Sequence, residues 1–153
     1  MKKLFLTLVG LVASFSAAFA LNPFVEFQPV VAGGGTCRFN VQGGIHEMMT
    51  KNIGLGAGIG ITEQWNFDNG PLIPIFVRGD VSGNVGGFKP FFSLDLGYAI
   101  NTENTDWGAV VVNPMIGMNF GKWYAGIGYE AFCWTPKHSN SSNCFNMKIV
   151  YNF

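Results

Sequence analysis

The sequence predicts an all-β fold: an eight-stranded antiparallel up-and-down transmembrane β-barrel. Three observations predict it. Charged residues make up only 12% of the chain, against 48% apolar and 15% aromatic, where ordinary soluble domains carry about 25% charge. After Ala20 no apolar run reaches the roughly 18 residues that a helical span requires. Finally, apolar and polar residues alternate with period two in successive segments of about ten residues, the length of a tilted membrane-crossing strand. An apolar chain with no spanning helix can still cross a bilayer as a closed barrel, one of the two backbones that lipid tolerates.

The first twenty residues stand apart. Met1-Lys2-Lys3 is a basic start, residues 4–13 (LFLTLVGLVA) are apolar, and Ala18-Phe19-Ala20 has the small-residue pattern of a cleavage site. Residues 1–20 therefore read as a secretory signal peptide and lie outside the fold. Residues 21–153 are expected to form one barrel domain.

The strands follow in order. Residues 24–32 place Val25, Phe27, Pro29 and Val31 on one face, with Glu26 and Gln28 opposite. Residues 36–46 place Phe39, Val41 and Ile45 outward and Arg38, Asn40, Gln42 and His46 inward. From Ile53 to Gln64, aliphatic residues alternate with Gly54, Gly56, Gly58, Gly60 and Thr62. Residues 71–82 oppose Phe76, Arg78 and Asp80 to Ile75, Val77 and Val81. Residues 88–100 oppose Phe92, Leu94, Leu96, Tyr98 and Ile100 to Ser93, Asp95 and Gly97. Residues 107–120 set Val112, Pro114, Ile116, Met118 and Phe120 against Asn113, Gly117 and Asn119. Residues 123–134 set Ala125, Ile127 and Tyr129 against Gly126, Gly128 and Glu130. The last segment sets Phe145, Met147, Ile149, Tyr151 and Phe153 against Asn146, Lys148, Val150 and Asn152.

An even strand count puts both termini at one end, the periplasmic end by the bacterial pattern. Tight turns at 49–52, 83–87 and 121–122 then share that end. Loops at 33–35, 65–70, 101–106 and 135–143 face outward, the last being the most polar. Trp65, Trp107 and Trp134 fall at outer strand ends and Trp123 at a periplasmic end. With Tyr151 and Phe153 they are the expected interface aromatics.

These segments carry a resemblance. The leader, GLGAGIGI, PIFVRGD, PFFSLDLGY, NPMIGMNFG, AGIGYE and the terminal VYNF, in that order, resemble the small outer-membrane β-barrel domain family of Gram-negative bacteria, whose architecture is shared by OmpA- and OmpX-type barrels. The resemblance covers essentially all of residues 21–153. It implies a location in the bacterial outer membrane after export through a cleaved signal peptide. It also implies insertion by the barrel-assembly machinery, which would read the C-terminal strand and Phe153. Fold alone does not assign an activity.

Glu26, Arg38, His46, Arg78, Asp80, Asp95, Glu130 and Lys148 are expected to form a polar cluster in the lumen. An eight-stranded barrel is just wide enough for side chains to fill, and charges there must pair or meet water. Hairpin geometry sets Arg78 against Asp95, while Glu26 and Lys148 sit on the closing strands. Two readings stay open: a structural plug, or a narrow pore for ions or small solutes. A third alternative is a soluble lipocalin-like ligand-binding barrel with its faces reversed. The glycine row does not match a phosphate-binding loop and is expected to make room for Phe76 and Arg78.

Catalysis is not expected, because neither His46 nor His138 has a serine and an acid beside it on one outward face. No histidine pair or Cys-x-x-Cys suggests a metal, and no cofactor is expected. Balanced charge, nine basic and nine acidic residues, argues against nucleic acid. Cys133 and Cys144 flank the last loop and are a candidate disulfide, with Cys37 left over or replacing one partner; strict alternation places them on opposite faces. The expected role is structural or surface-interacting, with outer-membrane lipid as a partner and an extracellular partner unassigned.

Overall fold

The computed structural model describes residues 22–32, 37–63, 71–102, 108–134 and 142–153. Eight strands close into one barrel: β1 (Asn22–Ala32), β2 (Cys37–Met48), β3 (Ile53–Glu63), β4 (Leu72–Ser82), β5 (Pro90–Asn101), β6 (Gly108–Phe120), β7 (Trp123–Trp134) and β8 (Ser142–Asn152). Each pairs antiparallel with its neighbours in sequence, and β8 returns to β1. The signal peptide, the segments 33–36 and 135–141, Trp65 and Trp107 lie outside the described residues, as do the side chains of Cys37 and Trp134.

Register fixes the shape. Cross-strand partners run from Asn22 to His46, Gly56, Arg78, Asp95 and Asn113. The same line continues through Glu130 and Cys144 and re-enters β1 at Ala32. The barrel is thus staggered by the ten residues from Asn22 to Ala32, which with ordinary strand rise and spacing tilts the strands by roughly 40°. At that tilt, strands of 11 to 13 residues rise about 27 to 32 Å along the barrel axis, slightly more than the apolar band of about 25 Å on such barrels.

Alternation sorts the residues into two environments. Outside are Phe27, Leu55, Val77, Leu96, Ile116, Ile127, Phe145 and Met147, large apolar side chains left exposed on strand after strand. Inside, the buried set mixes charged and amide residues with two apolar clusters. Leu72, Ala99, Ala109, Val111 and Phe132 pack near the loop end. Phe24, Phe76 and Val150, with Tyr124 against them, pack toward the turns.

The strands differ from the sequence reading at their ends. Strand β2 runs on to Met48 and β8 begins at Ser142, because pairing with neighbours extends them past their own alternation. Asn101, expected in a loop, is the last residue of β5 and is buried. Strand β5 starts at Pro90 because Val85 and Phe88 bridge across Gly86-Gly87, whose positive φ values (59° and 89°) suit glycine. At the first turn, Thr50 Oγ1 accepts the amides of Asn52 and Ile53 at 3.2 and 3.0 Å.

Candidate functional site: the charged lumen

Strand parity aims Glu26, Arg38, His46, Arg78, Asp80, Asp95, Glu130 and Lys148 into the barrel. Seven are buried, and the His46 side chain is 11% exposed. They form three groups stacked along the axis.

The central group joins four strands. Arg78 on β4 grips its cross-strand partner Asp95 with two bonds, Nε to Oδ1 at 2.6 Å and Nη2 to Oδ2 at 2.8 Å. The same guanidinium donates across the lumen to Glu26 Oε2 on β1 at 2.6 Å. Lys148 on β8 donates to Asp95 Oδ2 at 2.6 Å and approaches Glu26 Oε1 at 3.1 Å. Two cations thus face two carboxylates in a closed, neutral ring. The guanidinium carbon also lies 4.8 Å from the Phe24 ring centre and 5.3 Å from that of Phe76, so aromatic faces cover the charge the acids leave open.

Toward the loops, Arg38 on β2 donates to Glu130 Oε2 on β7 at 2.6 Å and stands 4.6 Å from the Phe132 ring centre. Asn40 bridges the other Glu130 oxygen and Gln28 Oε1, at 3.1 and 3.0 Å. Asn146 donates to Asn113 Oδ1 at 3.1 Å. Toward the turns, His46 Nε2 and Asp80 Oδ1 stand 2.6 Å apart. They meet over Gly54, where any Cβ would strike both side chains.

Glycine makes this packing fit. A Cβ on Gly58 would lie 2.5 Å from Phe76 Cζ, and Gly56 pairs with Arg78. The lumen is therefore filled by side chains. Below the central ring, a pocket among Phe24, His46, Arg78, Asp80, Phe91, Ser93, Met115, Tyr124 and Lys148 holds about 30 Å³, room for roughly two waters.

Two features were not foreseen in sequence. The inward apolar residues Phe24, Leu72, Met115 and Phe132 carry no polar marker. Glu26–Arg78 and Arg38–Glu130 join strands far apart in order, which only the stagger brings level. The Cys133–Cys144 pair, left open in sequence with alternation arguing against it, is unbridged: both thiols are free, Cys133 exposed and Cys144 buried. The register pairs Cys144 with Glu130 instead. Of the expected interface aromatics, Trp123, Tyr151 and Phe153 gather at the turn end, with ring centres 4.7 Å apart for Trp123–Tyr151 and 5.0 Å for Tyr151–Phe153.

This arrangement, with charges inside and hydrocarbon outside, defines the class: the fold of a transmembrane β-barrel. Solved structures with the same fold include the N-terminal β-barrel domain of Pseudomonas aeruginosa OprF, with a TM-score of 0.55 at 11% identity over 86% of this chain and 97% of that one. A de novo designed transmembrane β-barrel matches with a TM-score of 0.52 at 17% identity, over 86% of this chain and 95% of the design. No family model matches the chain, and no curated protein aligns with it.

Proposed function

We propose that the chain is an integral outer-membrane barrel of a Gram-negative envelope, with a structural or surface-interacting role and no catalytic one. The observation that carries this reading is the inversion of its faces. Paired charges occupy the interior while Phe27, Leu55, Val77, Ile116 and Phe145 stand exposed outside. Water around that exterior would be costly, and lipid satisfies it. A soluble lipocalin-like barrel needs the opposite arrangement. Strand β8, with Tyr151 and Phe153 beside Trp123, is the proposed contact for the barrel-assembly machinery.

A pore is the rival role. Against it stand the central ring of contacts at 2.6 to 3.1 Å and the small pocket beneath it. Each buried acid of the lumen also stands 2.6 Å from a base, which speaks for a plug rather than for acid–base chemistry. Membrane fractionation followed by gel electrophoresis with and without boiling tests the location: an outer-membrane protein whose unboiled band shifts supports it, and a wash-soluble protein without a shift refutes it. Planar-bilayer recording tests the plug. Steady unitary currents that change on Asp95→Asn would refute it.

A further inference from the structure

We propose that the turn end of the barrel is a binding surface for anionic phospholipid headgroups, built from Lys51, Lys89 and Lys122. This inference rests on the membrane-barrel reading above and adds a lipid preference to it.

Each of the three turns at this end carries one lysine. Lys51 lies in the turn after β2, Lys89 in the turn after β4 and Lys122 in the turn after β6, so the ammonium groups are distributed around the rim. All three are exposed. Among the described residues none of them is in an ion pair. Lys122 stands 6.0 Å from the ring centre of Tyr151. Glu47, an exposed acid at this end, accepts a hydrogen bond from Asn22 at 3.2 Å and is one negative charge against the three lysines. In sequence the opposite end is acidic: Asp68, Glu103 and Asp106 lie in its connections, against Lys137. The connections at the turn end thus carry three lysines and no acid, and those at the other end three acids and one lysine.

Each lysine is accompanied by exposed apolar groups. Met49 stands beside Lys51, Phe120 and Trp123 beside Lys122, and Val85 and Phe88, both 67% exposed, beside Lys89. The Val85–Phe88 hairpin is held by two backbone bonds of 2.8 and 2.9 Å, so these side chains are presented on ordered backbone. They lie at the turn end of strands whose outer faces carry exposed Ile53, Val81, Phe92 and Ile116. A rise of about 27 to 32 Å carries the turns past an apolar band of about 25 Å and into the headgroup layer. Amphipathic aromatics favour that layer, and a lysine near an anionic leaflet gains about fivefold in binding. Apolar groups reaching acyl chains while ammonium groups reach phosphate is the chemistry of an anionic lipid surface.

The test is native mass spectrometry of the protein purified from membranes and exchanged into mixed micelles holding equal phosphatidylglycerol and phosphatidylcholine. The wild type is expected to retain phosphatidylglycerol preferentially, and each Lys→Gln change at 51, 89 or 122 to lower the preference by about fivefold at low salt. Lys137→Gln, at the other end, should leave it unchanged. Equal retention of both lipids by the wild type, or an unchanged preference in the triple variant, overturns the proposal. The gel shift on boiling, recorded for every variant, keeps the two readings separate. A shifted band without lipid preference removes the lysine surface alone, and loss of the wild-type shift removes the barrel reading beneath it.

Discussion

Lys148→Met is the most searching perturbation of the lumen, because it removes one charge and keeps most of the length of the side chain. Lys148 is 1% exposed and touches both Asp95 and Glu26. Without it, two buried carboxylates face the single guanidinium of Arg78. Removing one partner of a buried ion pair costs about 3 to 5 kcal/mol, mostly through the charge left behind. Arg78 already donates to both acids, so the expected loss lies near 3 kcal/mol. Adding Glu26→Gln restores neutrality and keeps an acceptor for Arg78. The double variant is expected within about 1.5 kcal/mol of the wild type, a coupling of roughly 2 kcal/mol or more. Equilibrium urea unfolding in lipid vesicles, followed by tryptophan fluorescence and by the gel shift, measures both. A single variant within 1 kcal/mol of the wild type (about the worth of an exposed pair), or a double variant whose loss is the sum of the two singles, would refute the closed ring.

Two further predictions follow from the packing. Gly58→Ala places a Cβ 2.5 Å from Phe76 Cζ and 3.0 Å from the Gly43 carbonyl oxygen; it is expected to cost about 1 to 3 kcal/mol in the same unfolding assay, and Phe76→Leu in the same chain should recover part of that loss. For the cysteines, peptide mapping without reductant should yield no Cys133–Cys144 cross-link. A lipid-soluble maleimide should modify Cys133 in the folded barrel and Cys144 only after unfolding; equal labelling of both would contradict their placement on opposite faces.

Much of this was legible because a strand has only two faces. Parity alone assigned Arg38, Arg78, Glu130 and Lys148 to the inside, and the short hairpin between β4 and β5 put Arg78 against Asp95. Parity does not say what an apolar residue does on the inner face. Phe24 and Phe132 have the chemistry of lipid-facing residues, yet they fill the lumen and cover Arg78 and Arg38. Long-range pairs were hidden for another reason. Glu26 meets Arg78 across 52 positions of sequence, and the meeting depends on a stagger that accumulates strand by strand. No local pattern records that sum.

The prolines show why the lumen matters to the barrel as a whole. A closed sheet has no edge on which to hide a residue without an N–H, yet Pro29, Pro74 and Pro114 all lie within strands. Each coincides with a gap in one ladder. The β1–β8 ladder skips Gln28–Lys148 and Pro29–Met147. The β3–β4 ladder skips Gly60–Pro74 and Ile61–Ile73, and the β6–β7 ladder skips Asn113–Glu130 and Pro114–Tyr129. Backbone bonding in lipid is otherwise obligatory, so these are weak points in the wall. Two of them lie beside buried charges, Lys148 at the first and Glu130 at the last. Those charges reach across the barrel, Lys148 to β5 and Glu130 to β2, while Arg78 reaches β1. Ladders bind only adjacent staves. Three of the ion pairs, Lys148–Asp95, Arg38–Glu130 and Arg78–Glu26, bind staves three places apart; Arg38–Glu130 spans the seam where the last strand must close on the first, and Lys148–Glu26 joins the two strands of that seam. On this argument the charged lumen is the fastening that lets a barrel with interrupted ladders stay shut.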